Sequence, residues 1–257
     1  IVNGHAVRFS QKSDLAEVDL SDVDVVFECT GKAVTAQFAS AGLRAGAQRV
    51  LISGPSECAD VTVVLGANDH VLSGQRIVSN ASCTTNALAP LVKLLNDTWG
   101  VVTGSMTTIH CYTGSQPTTD APAADYARSR AAALSMVPTT TSAQRLLDIV
   151  LPEIAGRIEG SAVRVPTASV SAVDLAVMLQ TTPTAAQVNE KLRTAGGVIG
   201  ATDAPLVSSD LRARPESIIM ALPETRVTAF GMVRVFGWYD NEWGFSNRML
   251  DVALKMG

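Results

Sequence analysis

Short β-branched apolar runs recur through the first third of the chain. Val23 to Thr30 reads VDVVFECT and stops at Gly31, and Arg49 to Ser53 reads RVLIS and stops at Gly54-Pro55. Val61 to Leu65 and Arg76 to Ser79 repeat the pattern. Ala33 to Ala47 lies between the first two runs, with Ala and Leu at helical spacing. Apolar strands alternating with a helix predict a parallel sheet with crossover helices.

The pattern changes at Cys83. Thr84 to Trp99 is predicted as a helix, with Leu88, Leu91, Val92 and Leu95 on one face. Val101 to Tyr112 predicts a long strand, and Gly114 to Ser129 a polar loop. Further strands are expected at Ser161–Val165, Ser171–Gln180 and Met232–Tyr239, with helices at Ser142–Val150, Ala185–Ala195 and Ser246–Met256. Longer strands with fewer helices predict a mixed sheet, so the fold class expected is α/β in the first part and α+β in the second.

Composition narrows the class. The 257 residues are 47% hydrophobic with a net charge of -4, which suits a soluble globular chain and gives no basic footprint for nucleic acid. No apolar run approaches membrane-spanning length, and the first residues carry no secretory leader pattern. The four cysteines have no CxxC spacing and do not cluster with the three histidines, so no metal site is expected. Free thiols in a reducing cytoplasm are the expectation.

One thiol stands in a reactive context. In Ser79-Asn80-Ala81-Ser82-Cys83-Thr84-Thr85-Asn86 a strand ends, small polar residues follow and a helix begins. Ser82 is a good N-cap, which puts Cys83 in the first turn. There the helix dipole and free N–H groups lower a thiol pKa and hold a developing oxyanion. The bland alternative is a buried structural cysteine, against which the polar neighbours argue. His110 shares a strand face with Thr108 and Tyr112, and beside Cys83 it would form an activated pair. Arg128, Arg130 and the run Thr139-Thr140-Thr141-Ser142 suit phosphate recognition, or are solvated surface. Arg164 interrupts an apolar strand, so it needs an anionic partner or a cleft.

These residues, in this order, resemble the glyceraldehyde-3-phosphate dehydrogenase family. The segments that carry the resemblance are SNASCTTN (Ser79–Asn86), TTIHCYTGSQ (Thr107–Gln116), RVPTASVSAVDL (Arg164–Leu175) and WYDNEWGFSNRMLD (Trp238–Asp251). The resemblance implies phosphorylating oxidation of glyceraldehyde 3-phosphate to 1,3-bisphosphoglycerate, with Cys83 as nucleophile and His110 as base. It implies Thr113 and Arg164 at the substrate phosphate. It places Ser82, Thr84, Thr141 and Ser142 at the attacking phosphate, and Arg128 between the two. For the cofactor, NAD or NADP, it implies Asn241 at the nicotinamide carboxamide and Thr30, Gly31 and Ser53 nearby. It also implies a cytoplasmic homotetramer, with Thr113–Ala133 crossing between subunits.

The expected layout is the second half of a Rossmann-type domain over 1–82, a catalytic domain over 83–240 and a returning helix over 241–257. No GxGxxG turn is present, so the resemblance implies a chain beginning after the first strand–helix–strand unit, as a fragment or a shortened relative. Ala87 stands where the family has a second cysteine, Ser142 where it has glycine, and Gly114-Ser115 where it has a more polar pair. The tail DNEWGFSNRMLD is similar to the erythrose-4-phosphate dehydrogenases, the nearest alternative activity. A truncated, non-catalytic relative is the other alternative.

Overall fold

The early β-branched runs pair side by side in a computed structural model that describes residues 1–257. The first part contains β1 (Val25–Glu28), α1 (Ala36–Ala39), α2 (Ala41–Arg44), β2 (Arg49–Ile52), β3 (Val61–Thr62) and β4 (Ile77–Ser79). All pairings are parallel, in the order β1-β2-β4-β3.

Three elements fall well short of their patterns. Of the Val23–Thr30 run, β1 keeps only Val25–Glu28. The helix expected over Ala33–Ala47 breaks at Ser40, whose backbone leaves the helical region and whose hydroxyl donates to the carbonyl of Ala36 at 2.7 Å. Past the break, α2 lies close on the sheet. A Cβ on Gly42 would meet Val50 at 2.9 Å, so glycine permits that approach. The strand expected over Val61–Leu65 stops at Thr62. The Asn68 amide takes over its groups, accepting from Val64 N at 2.8 Å and donating to Thr62 O at 3.0 Å.

The rest of the chain runs α3 (Cys83–Trp99), β5 (Val101–Cys111), β6 (Val137–Thr139), α4 (Ala143–Val150), β7 (Ile158–Val165) and β8 (Ser171–Leu179). It continues α5 (Ala185–Arg193), β9 (Ile199–Thr202), β10 (Ile218–Ala221), β11 (Arg226–Val227), β12 (Met232–Tyr239) and α6 (Trp243–Met256). Eight strands form a mixed sheet in the order β6-β7-β5-β8-β12-β10-β9, with β11 on β12. The α/β reading with a parallel and a mixed sheet therefore holds. Strands β6, β9, β10 and β11 were absent from the sequence expectation.

Helix α3 covers one face of the mixed sheet. Leu88, Leu91, Val92 and Leu95, the predicted stripe, are fully buried in one cluster with Met106, Leu175, Val177 and Val235. Burial of each leucine stabilises by about 1.5–3 kcal/mol, so the helix is held mainly by this stripe. Helix α6 returns to the parallel sheet, where Met249, Val252 and Met256 cluster with Leu51 and Val78. No helix is long and apolar enough to cross a membrane.

Candidate active site

Cys83, the candidate nucleophile, is placed by the turn between β4 and α3. Ser82 caps α3, its Oγ accepting from Thr85 N at 3.1 Å. Asn86 Nδ2 donates back to the carbonyls of Asn80 (2.8 Å) and Ser82 (3.1 Å), tying the turn to the helix. Ala81 has φ +55°, a left-handed conformation rare for a residue with a Cβ. Cys83 is thus the first residue of α3, and its Sγ lies 3.6 Å from Nε2 of His110 on β5.

His110 is buried, and its Nδ1 lies 2.7 Å from the carbonyl of Cys111. A proton on Nδ1, donated to that carbonyl, leaves the Nε2 lone pair facing the thiol. Arg164 is the register partner of His110 across β5 and β7. Its Nη1 donates to the same carbonyl at 3.0 Å and abuts the imidazole.

Burial reverses one expectation. The helix-start position was expected to lower the Cys83 thiol pKa. Instead desolvation pushes it up, against hydrogen bonds from Thr84 and the charge of Arg164, which pull it down. Burial also takes His110 down to about 4; Arg164 adds to this and the Cys111 carbonyl opposes it. Burial thus pushes both members of the pair towards their neutral forms.

Tyr239, on β12, joins the two elements of the pair. Its hydroxyl lies 2.9 Å from Thr84 Oγ1 and 2.8 Å from Thr108 Oγ1, and its ring meets His110 edge-on at 6.0 Å. The Thr84 hydroxyl is therefore bonded to Tyr239 rather than open to a ligand.

Arg164 and Arg128 converge on a cleft of about 220 Å³ that Ser115, Gln116, Thr139 and Thr140 also line. Arg128 donates to Thr140 Oγ1 at 2.8 Å and pairs with Asp125 at 3.4 Å. Arg164 has no carboxylate partner, so of its two expected outcomes the cleft is the one found. Thr113, Thr141 and Ser142 flank this cleft without lining it. The Thr113 hydroxyl meets Ser115 Oγ at 2.9 Å, and Thr141 Oγ1 accepts from Ala143 N at 3.1 Å. Ser142 precedes α4 as its cap residue.

A second cleft, of about 470 Å³, opens beside the carboxyl ends of β1 and β2 and brings together Phe27, Cys29, Ser53, Asn241, Glu242 and Phe245. Nucleotides bind outside the carboxyl ends of parallel strands. Asn241 Oδ1 accepts from Cys111 Sγ at 3.1 Å and from Ser171 Oγ at 3.2 Å. Its Nδ2 makes no hydrogen bond within the chain, so two donors remain for the carbonyl of a carboxamide. Thr30 and Gly31 sit just beyond β1, outside the cleft lining. The Thr30 N–H donates to Glu28 Oε1 at 3.0 Å, and Gly31 turns the chain at φ +73°.

Comparison with known proteins shows the family. Residues 82–241 match the family model described as glyceraldehyde 3-phosphate dehydrogenase, C-terminal domain. The chain belongs to the glyceraldehyde-3-phosphate dehydrogenase family. The glyceraldehyde-3-phosphate dehydrogenase of Xanthobacter flavus is 48% identical over 241 residues, 91% of this chain and 72% of that protein. That of Cereibacter sphaeroides is 48% identical over 248 residues, 94% of this chain and 74% of that protein. Glyceraldehyde-3-phosphate dehydrogenase 1 of Bacillus subtilis is 42% identical, covering 98% of this chain and 78% of that protein. Membership brings a nicotinamide cofactor and a phosphorylated substrate.

The sequence reading missed Tyr239, Ser171 and Cys111. Tyr239 closes an alternating strand, where an aromatic reads as core. Cys111 and Ser171 carry no motif of their own, and only their shared contact with Asn241 marks them.

Proposed function

We propose that this chain oxidises glyceraldehyde 3-phosphate to 1,3-bisphosphoglycerate through a thioester on Cys83, with His110 as base. The observation that carries the reading is the 3.6 Å approach of Cys83 Sγ to His110 Nε2. The thiol adds to the aldehyde carbon as its proton passes to Nε2, a lone pair that is free because Nδ1–H is held by Cys111 O. N–H groups in the first turn of α3 hold the oxyanion, and His110 returns its proton to that oxygen. Asn241 would hold the carboxamide of a bound nicotinamide, which would supply the acceptor for the hydride and its electron pair. His110 takes the hydroxyl proton as the carbonyl re-forms, leaving Cys83 acylated. A phosphate oxygen then attacks the thioester carbon, the C–S bond breaks, and Cys83 recovers its proton from His110.

Arg164 and Thr113 hold the substrate's phosphate. Ser82, the Thr84 backbone, Thr141 and Ser142 hold the attacking phosphate, with Arg128 between the two. Ser53, Thr30 and Gly31 border the cofactor, which is NAD or NADP. Residues 1–82 form the nucleotide-binding part, 83–240 the catalytic part and 241–257 the returning helix. A cytoplasmic homotetramer suits the free thiols and the exposure of Tyr126, Leu134 and Met136 in and beyond the Thr113–Ala133 loop. The glyceraldehyde name borne by the relatives favours the triose over erythrose 4-phosphate.

Mixing the protein with glyceraldehyde 3-phosphate, phosphate and NAD or NADP, and following absorbance of the reduced cofactor, tests the reading. Phosphate-dependent reduction is the expected result. Reduction with neither cofactor overturns it, and faster turnover of erythrose 4-phosphate at equal concentration moves the activity to the tetrose.

A further inference from the structure

The amide of Asn241 does not choose its own orientation. Cys111 and Ser171, each about 1% exposed, both point a donor at its Oδ1, at 3.1 and 3.2 Å. The Cys111 backbone N–H donates to Ser171 Oγ at 3.1 Å, so the serine hydroxyl proton is left for Asn241. A thiol donates and is a weak acceptor. An inverted amide would set Nδ2 against that sulfur and lose a hydrogen bond in a buried place. The residues thus read as a small relay: Cys111 N–H to Ser171, Ser171 O–H to Asn241, Cys111 S–H to Asn241.

We propose that Cys111 is a positioning residue for the cofactor, its thiol and the Ser171 hydroxyl locking Asn241 with Nδ2 turned outward. The inference rests on the proposed role of Asn241 at the nicotinamide carboxamide. A locked amide offers only donors, so it holds the carboxamide oxygen and fixes the rotation of the ring beside Cys83. Cys111 acts through Asn241 and touches no reacting atom. A serine in its place keeps a donor, and an alanine removes it.

Two measurements test this on the intact protein. The first is calorimetric titration with NAD and with ADP-ribose, which lacks the nicotinamide. Cys111→Ala is expected to weaken NAD binding by about 3- to 10-fold, the range of one neutral hydrogen bond, and to leave ADP-ribose unchanged. Cys111→Ser should restore NAD binding. A general loss of structure would weaken both ligands together. The second is the infrared S–H stretching band, which needs no cofactor. A band shifted to lower frequency, absent in Cys111→Ala and returning to the free-thiol position in Asn241→Ala, is expected. Equal NAD binding by wild type and Cys111→Ala, or an S–H band indifferent to Asn241→Ala, overturns the inference. If Asn241→Ala leaves the NAD to ADP-ribose ratio unchanged, the role of Asn241 itself fails. If it changes that ratio while Cys111→Ala does not, only the positioning role of Cys111 fails.

Discussion

The hydroxyl of Tyr239 lies 2.9 Å from Oγ1 of Thr84, the residue next to the nucleophile, although 155 positions separate them. The same hydroxyl reaches Thr108, two residues before the base, at 2.8 Å. Tyr239 therefore fastens the start of α3 to β5 and sets the spacing of Cys83 and His110. Burial drives its phenol pKa far up, so the hydroxyl stays protonated. Tyr239→Phe leaves two buried threonine hydroxyls without this partner. It should cost about 1–3 kcal/mol in thermal or denaturant unfolding and slow the acylation burst. An unchanged burst amplitude and rate would show that the spacing is held by other contacts.

The reacting pair gives the sharpest functional prediction. Cys83→Ser should abolish aldehyde oxidation, and His110→Asn should slow it by about two to four orders of magnitude. Iodoacetamide labelling separates this chemistry from folding. Burial favours the Cys83 thiol over the thiolate, so loss of its proton to Nε2 should speed alkylation; His110→Asn should slow it while that of Cys58 stays the same.

Acid should weaken the fold through His110. An unfolded imidazole titrates near 6.5, whereas the buried one is held at about 4. Between those values the unfolded chain binds a proton that the folded chain refuses, so stability falls as pH drops from 6.5 towards 4. The full effect is on the order of 3 kcal/mol. Urea unfolding of wild type and His110→Gln across this window checks it; the variant should lose that part of the slope.

Much of the frame was legible because periodicity and burial agree. The leucine stripe of α3 and the alternation of β5, β8 and β12 each have one face to bury, and each element begins and ends within a single residue of its expected bounds. The strands that escaped notice are short. Val137–Thr139 carries Pro138, and Ile199–Thr202 carries glycine and alanine, so neither reads as β-branched. Ile218–Ala221 is buried throughout and shows no alternation. At the site, the place of Cys83 was readable from its cap, but its thiol pKa was not. Helix-start electrostatics are local and visible in sequence, while desolvation is set by strands far along the chain.

Arg164 should act as more than a charge. It lines the cleft that it shares with Arg128 and also donates to Cys111 O beside the imidazole. Lysine cannot reproduce a planar fork that serves two places. Arg164→Lys should raise KM for glyceraldehyde 3-phosphate by about tenfold or more, the scale of a lost charge-assisted hydrogen bond, with a smaller effect on unphosphorylated glyceraldehyde. Equal effects on both aldehydes would remove the arginine from phosphate recognition.

Two strand registers fix the site residues against one another. His110 sits opposite Arg164, and Tyr239 sits opposite Ser171, so two pairs of site residues are each held in register across neighbouring strands of the mixed sheet. A pair of this kind is fixed by ladder hydrogen bonds and cannot drift one residue at a time. The reactive centre is therefore the conservative half of the molecule and the Thr113–Arg130 loop its adjustable half. An engineer seeking a new aldehyde can vary that loop around Thr113 and Arg128 and leave the Cys83–His110 pair in place, whereas a one-residue insertion in β5 upstream of His110 would turn its imidazole to the wrong face of the sheet.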